Sequence, residues 1–470
     1  MKNSLITESR VPATAEKLFG WHENEGALIR LMPPWEKVRV VTPFQGLGDG
    51  VRVRFQVQNG PMKFEWTAEH FGYRKNELFC DRALSGPFKS FVHHHRFLAQ
   101  PDGSTVLRDE VEYELPVTPL SDPIAGGFVR GKLDSMFRYR HRVMQGDVKA
   151  QLRHALPPSR VLISGANGLI GRQMFGYLRQ AGHTVIRLVR SKSEVVAGQT
   201  ILWDPMSPFP KERLAELEGF DAVIHLAGAG IADQRWSEKR KREIRESRVQ
   251  GTKHLADALC FLNQRPKVFL CGSAIGIYGN EGDALLTENS PTNSPGFLED
   301  VARDWEGAAR CLEKTGVRTV YVRTGIVLSP AGGALAKMLF PFQCNVGGVL
   351  GNGKAWMSWI ALDDMLSGME FILATEAIHG PVNFTAPCPV TNREFTHTLA
   401  KTLGRFVGPP VPTFALKTLF GEMADAALLA SLRVEPQVLL NHGYRFRYPD
   451  LRSALGHVLG YSDELGEDKP

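Results

Sequence analysis

The sequence predicts a doubly wound α/β fold with a parallel sheet, preceded by an α+β unit of antiparallel strands and a long helix. Three observations carry this. A strand, a glycine turn, a helix and a second strand fill residues 160–190. Apolar strands alternate with helical stretches after that unit. Period-two strands fill most of residues 38–115 before it.

The central stretch reads RVLISGANGLIGRQMFGYLRQAGHTVIRLVR. Val161, Leu162 and Ile163 form the short apolar run of a buried strand. Gly165, Gly168 and Gly171 follow at G-x-x-G-x-x-G spacing. Ile170, Met174, Phe175 and Leu178 then recur at helical intervals up to Gly182, the expected C-cap. A second strand covers Thr184 to Val189. This is the first βαβ unit of a dinucleotide-binding (Rossmann) fold. The glycines let backbone approach a pyrophosphate, and the helix start offers free N–H groups to it. Expected contacts are Gly165, Asn167, Gly168, Leu169, Ile170 and Gly171. A glycine turn with no ligand is the competing reading, and the strand–helix setting speaks against it.

The end of the second strand discriminates between nucleotides. A carboxylate there would accept the ribose hydroxyls. The chain has Arg190-Ser191-Lys192 instead. Two cations and a hydroxyl suit a 2′-phosphate, so NADP rather than NAD is the expected cofactor, with Arg190 and Ser191 as contacts.

Length and composition bound the rest. A chain of 470 residues should hold two or three domains. Its 43% hydrophobic and 23% charged content is that of a globular protein. The net charge of +6 is spread along the chain and mixed with acids, which argues against nucleic acid. The densest run, Arg235 to Arg248, reads as a solvated helix face. Six scattered cysteines, without C-x-x-C or an N-terminal secretory signal, fit a reducing, cytoplasmic setting. No apolar run reaches the roughly 18 residues of a membrane helix.

In the first domain, strands are expected at Val38–Val41, Val51–Gln58, Lys63–Phe71, Glu77–Ala83, Phe88–Leu98 and Ser104–Leu115. A short helix is expected over Thr14–Trp21 and a long one over Ile124–Gln151. The words LMPPWEKVRVV, GPFKSFVHHHRF and DEVEYELP then resemble the START-like (polyketide cyclase/coenzyme-Q-binding) superfamily with its helix-grip fold. That resemblance implies a cavity for an apolar ligand between sheet and long helix. Phe55, Trp66, Phe79, Phe91 and Phe97 could line it or simply fill a core. On a strand only His93 and His95 of the triple histidine share a face. With no Cys, Asp or Glu at ligand spacing beside them, a ladder of histidines is expected and no metal is assigned.

Pro157-Pro158 marks a linker over 152–159. Further strands are expected at Thr200–Trp203, Asp221–Leu226, Lys267–Cys271 and Thr319–Val322. Helices are expected at Lys211–Glu218, Ser237–Leu262 and Leu298–Lys314. Asp204 could face the adenine. The small residues after the fourth strand, within HLAGAG, place Leu226, Ala227 and Gly228 against a cofactor. Arg323 closes the sixth strand and is expected to contact the cofactor.

HLAGAG, GSAIGIYG, DWEGAA and RTGIVLSPAGGALAKML resemble the extended short-chain dehydrogenase/reductase superfamily, in an epimerase-like subfamily of uncharacterised reaction. The tail after Pro412 resembles that subfamily's C-terminal domain of unknown function. The boundaries expected are 1–151, 152–159, 160–411 and 412–460. The resemblance implies an NADP-dependent oxidoreductase or epimerase. It also implies a Ser or Thr and a Tyr-x-x-x-Lys pair that moves a proton while hydride transfers. The chain departs from that pattern. The Tyr position falls at about Phe297 or Leu298 and the Lys position at about Val301 or Ala302. Ser273 and Tyr278 remain as catalytic candidates, with Glu306, Asp304, Arg323, Lys354 and Trp356 as further polar possibilities. Without the pair, an altered NADP-binding sensor or lipid-binding protein is the alternative. The substrate and the oligomeric state are not readable.

Overall fold

The computed structural model describes residues 2–60, 62–116 and 122–461. It forms two compact units, one built on residues up to Ala155 and the other on Leu156–Phe175 and His183–Gly456.

The first unit opens with β1 (Asn3–Val11), α1 (Ala15–Glu23) and α2 (Glu25–Leu31). Strands β2 (Lys37–Val40), β3 (Arg52–Asn59), β4 (Met62–Arg74), β5 (Leu78–Ser85), β6 (Ser90–Ala99) and β7 (Thr105–Glu114) follow, then the long α3 (Asp122–His154). Among the described residues the sheet has seven strands in the order β1-β7-β6-β5-β4-β3-β2, and every pairing is antiparallel. An antiparallel sheet with helices on one side is the helix-grip arrangement. Strand β1 was not expected. It is an edge strand with few buried side chains, and it pairs with β7 about a hundred residues later in the chain. Helix α3 runs past the expected linker start at Leu152, since no breaker precedes Pro157.

The aromatic residues of this unit are largely core. Phe79, Phe91 and Phe97 are buried, and Phe19 packs edge-on against Phe79 and Phe97 with centroids 6.0 and 5.0 Å apart. Trp66, half-buried, meets Phe91 at 5.1 Å.

The expectation that no carboxylate sits beside the histidines is overturned. Antiparallel register sets Asp81 opposite His93 and Asp109 opposite His95. Both acids come from neighbouring strands, so spacing along β6 could not reveal them. Burial alone would lower the His93 pKa, but Asp109 and Asp81 outweigh it and raise it to about 9.

The second unit begins with β8 (Arg160–Ser164), α4 (Leu169–Gln180), β9 (Thr184–Val189), β10 (Thr200–Leu202) and β11 (Ala222–His225). Then come α5 (Glu238–Cys260), β12 (Val268–Ala274), β13 (Leu285–Leu286), α6 (Phe297–Ala308), β14 (Arg318–Thr324), β15 (Ile326–Leu328) and α7 (Gly333–Gln343). The chain closes with β16 (Trp356–Met357), β17 (Trp359–Ala361), α8 (Leu362–Ala374), β18 (Gly380–Phe384), β19 (Val390–Thr391), α9 (Asn392–Thr402), α10 (Thr413–Phe420), β20 (Arg433–Val434), α11 (Gln437–Asn441) and α12 (Leu451–Leu459).

The main sheet is parallel, with seven described strands in the order β10-β9-β8-β11-β12-β14-β18. This is the doubly wound arrangement, and its order reverses between β8 and β11. Its core joins Leu162, Val223, Leu255 and Phe269, all fully buried. Two expected helices differ in kind. Lys211–Leu217 is a 3₁₀ segment, and the helix after β12 stops at Ala308 before a separate 3₁₀ turn over Arg310–Thr315.

Residues of the C-terminal segment pack within this unit. Strand β20 pairs with β13. At the start of α8, the buried Asp364 carboxylate accepts the backbone N–H groups of Arg447 at 2.7 Å and Tyr448 at 3.0 Å. No helix among the described residues is long and apolar enough to cross a membrane.

Candidate functional site

The candidate site is at the carboxyl ends of β8 and β11, where the strand order reverses and ligands of such sheets bind. The turn after β8 is built so that glycine is required. Gly165 has φ +72°, and a Cβ there would lie 2.7–2.8 Å from backbone atoms of Leu226 and Ala227. A Cβ on Gly171 would lie 2.2 Å from the Gly165 carbonyl oxygen. The Gly168 N–H donates to that oxygen at 2.9 Å, closing the turn into α4. These approaches press the glycine turn onto the end of β11. Asn167 and Gly168 are exposed, with Leu169 and Ile170 half-exposed beside them. A pyrophosphate would find free backbone N–H groups at this helix start.

Strand β9 ends beside this turn. Arg190, Ser191 and Lys192 are exposed, and the two cations have no ion pair among the described residues. Asn167 Nδ2 donates to Glu194 Oε1 at 2.7 Å, tying the glycine turn to the loop after β9. Asp204, exposed after β10, accepts from Met206 N and Ser207 Oγ, both at 3.0 Å. The start of α7 forms a wall: Cβ atoms added at Gly332 or Gly333 would meet the Leu169 side chain at 3.6–3.7 Å. Beneath the turn, Ser164 Oγ and His225 Nδ1 lie 2.6 Å apart on adjacent strands.

The loop after β11 carries Ala227, Gly228 and Ala229, and α5 pins it. Arg248 Nη1 donates to Ala229 O at 2.9 Å, Ser247 Oγ accepts from Ala229 N at 3.0 Å, and Arg240 donates to Gly230 O. The Arg248 guanidinium also stacks over Trp305 at 5.0 Å, and burial lowers its pKa to about 10. The reading of Arg235–Arg248 as a solvated face therefore fails at two positions. Arg240 and Arg248 turn inward, which only their places on the helix face could have signalled.

The catalytic candidates lie deeper. Arg323 Nε and Nη2 donate to Glu306 Oε1 and Oε2 at 2.8 and 3.0 Å, and Ser273 Oγ donates to Oε1 at 2.7 Å. Arg323 Nη1 donates to Tyr278 OH at 3.0 Å, and Tyr278 OH donates to Asn383 Oδ1 at 2.7 Å. The Tyr278 side chain is fully buried, and Ser273, Glu306 and Arg323 are 4–7% exposed. Burial raises the Tyr278 phenol above its ordinary value despite Arg323. Arg323, expected against the cofactor, thus spends its guanidinium on the core. Asp304 pairs with Arg245, Trp356 Nε1 donates to Asp283 at 2.8 Å, and Lys354 is exposed. Phe297 opens α6, with Val301 and Ala302 buried, so no proton donor stands at the superfamily's positions.

Residues 161–384 match the NAD dependent epimerase/dehydratase family. Residues 11–138 match the polyketide cyclase/dehydrase and lipid transport family, and 411–458 match a domain of unknown function. Epimerase family protein Mb2239 of Mycobacterium bovis is 38% identical over 299 residues, 63% of this chain and 97% of that protein. A solved structure described as a nucleoside-diphosphate sugar epimerase of Corynebacterium glutamicum is 33% identical, with a TM-score of 0.79, over 97% of this chain and 90% of that one. The human epimerase family protein SDR39U1, solved with NADPH, is 32% identical, with a TM-score of 0.59, over 64% and 98%. The chain belongs to the NAD dependent epimerase/dehydratase family, as one of its epimerase family proteins with an added N-terminal domain of the polyketide cyclase kind.

Proposed function

We propose that the second unit is an NADP(H)-dependent oxidoreductase or epimerase acting on a small carbonyl or hydroxyl substrate. The observation that carries it is the glycine turn pressed onto β11, with exposed cations at the end of β9 that have no ion pair among the described residues. The human relative solved with NADPH supports the choice of nucleotide.

In this reading the turn of Gly165, Asn167, Gly168, Leu169, Ile170 and Gly171 cradles the pyrophosphate, with Gly165, Gly168 and Gly171 giving the close backbone approach and the N–H groups after Gly168, at the start of α4, facing it. Arg190, Ser191 and Lys192 grip the 2′-phosphate, and Asp204 borders the adenine. Leu226, Ala227 and Gly228 floor the crevice, held in place by Arg248 and Ser247. A bound nicotinamide supplies reversible hydride transfer. Ser273 and Tyr278 act with Arg323 and Glu306 as positioning residues, fixing the ends of β12 and β14 beneath the substrate. Their burial suits that role better than proton exchange.

Binding of NADPH and NADH to the full chain, followed by calorimetry, tests the reading. NADPH should bind at least tenfold more tightly, and Arg190→Asp should remove most of that preference. Equal affinities would remove the 2′-phosphate assignment, and no binding of either nucleotide would sink the enzyme.

A further inference from the structure

We propose that the first unit holds a divalent metal site of the zinc type, with His93, His95 and Asp81 as its ligands. His93 and His95 alternate on one face of β6, and register brings Asp81 of β5 onto the same face. Ligand atoms from all three lie within 4.8 Å of one another. Asp81 Oδ2 is 3.3 Å from His93 Nδ1 and 3.4 Å from His95 Nε2. A tetrahedral cation with bonds of about 2.0–2.1 Å separates its ligand atoms by about 3.3–3.4 Å, and an octahedral one by about 3.0 Å. The two edges therefore match a tetrahedral ion. Two imidazoles and one carboxylate are a zinc-type donor set that leaves a fourth position for water or a ligand.

Asp109 lies behind both histidine ligands. On the far side of both rings, Asp109 Oδ1 lies 3.3 Å from His93 Nε2 and 2.8 Å from His95 Nδ1. All three atoms are buried without an aligned hydrogen bond. A metal on the Asp81 side would make each outer ring nitrogen an N–H donor directed at Asp109, the carboxylate–histidine–metal relay. Asp109 is itself anchored: its Oδ2 meets His141 Nε2 at 2.8 Å, and His141 Nδ1 meets Ser9 Oγ at 2.7 Å. Two carboxylates balance a dication. Arg140, the cation whose charge reaches both, directs its Nε to Leu31 O at 3.2 Å. Asp81 and His95 keep partial solvent contact, leaving a route of entry.

The test uses the full chain, stripped with a chelator and titrated with zinc, with bound metal counted by mass spectrometry. Wild type should take up one zinc per chain and melt at a higher temperature with it. Asp81→Asn and His95→Ala should each weaken uptake at least tenfold, and Asp109→Asn, which keeps every ligand, by about 10- to 100-fold. Cobalt substituted at the site should show the visible spectrum of a tetrahedral ion. No uptake by wild type overturns the proposal, as does undiminished uptake in Asp81→Asn and Asp109→Asn. An octahedral cobalt spectrum overturns the tetrahedral geometry. If His95→Ala does not fold, Asp81→Asn and Asp109→Asn carry the same comparison.

Discussion

Arg323 and Glu306 form a two-point ion pair, at 2.8 and 3.0 Å, inside the second unit, and the same Glu306 oxygen receives Ser273. Removing one side of such a pair strands a buried charge. Glu306→Ala should cost about 3–5 kcal/mol by denaturant unfolding. Ser273→Ala, which removes one donor and leaves the pair whole, should cost only about 1–2 kcal/mol. A Ser273→Ala loss as large as that of Glu306→Ala would contradict the ranking.

The glycine turn gives a sharper prediction. An alanine at Gly165 would need φ near +72° and would set its Cβ against backbone of Leu226 and Ala227. Backbone cannot swing aside as a side chain can. Gly165→Ala should lose about 1–3 kcal/mol of stability from the strained φ and abolish the thermal shift produced by NADPH. Gly182→Ala is the control. Its φ is +90° but no atom lies within 4 Å of its Cβ, so it should be strained yet still bind nucleotide. Equal nucleotide binding by the two variants would contradict the close-approach argument.

The sequence was most readable where structure is local. Strand, glycine turn and helix at 160–180 depend on neighbours in the chain, and the three glycines announce their own crowding. The histidine–aspartate cluster was invisible because register, not spacing, sets Asp81 and Asp109 beside His93 and His95. Strand β1 was missed for a similar reason, since its partner lies far along the chain. The buried network of Ser273, Tyr278, Glu306, Arg323 and Asn383 draws on β12, β14, β18 and α6, so only the assembled sheet reveals that it is closed. The superfamily's Tyr-x-x-x-Lys was legibly absent, because Phe297, Val301 and Ala302 cannot exchange protons.

His225 sets a pH dependence. It is fully buried, and burial lowers its pKa from 6.5 to about 4. The folded chain therefore binds fewer protons at this site than the unfolded chain. The stability it contributes is present above pH 6.5 and is lost as pH falls towards 4. The full effect is about 3 kcal/mol. His225→Gln, which cannot charge, should reduce the stability difference between pH 7 and pH 4.5 by about 2 kcal/mol, read from urea unfolding at the two values. An unchanged difference would place the acid sensitivity elsewhere.

Arg248 offers a test of how the crevice floor is held. Its guanidinium donates to Ala229 O and Ile244 O and stacks over Trp305, so it ties the loop after β11 to α5. Arg248→Met keeps much of the aliphatic bulk and removes the donors and the charge. Losing the donor to Ala229 frees the loop, while Ser247 still holds Ala229 N. The global cost should be modest, about 1–2 kcal/mol. NADPH affinity should fall by about tenfold, through a floor that must be ordered again on binding. Hydrogen exchange at 227–230 should rise in the free variant and return towards wild type when NADPH is added. If affinity falls with no change in exchange there, Arg248 touches the nucleotide directly and is not a support for the loop.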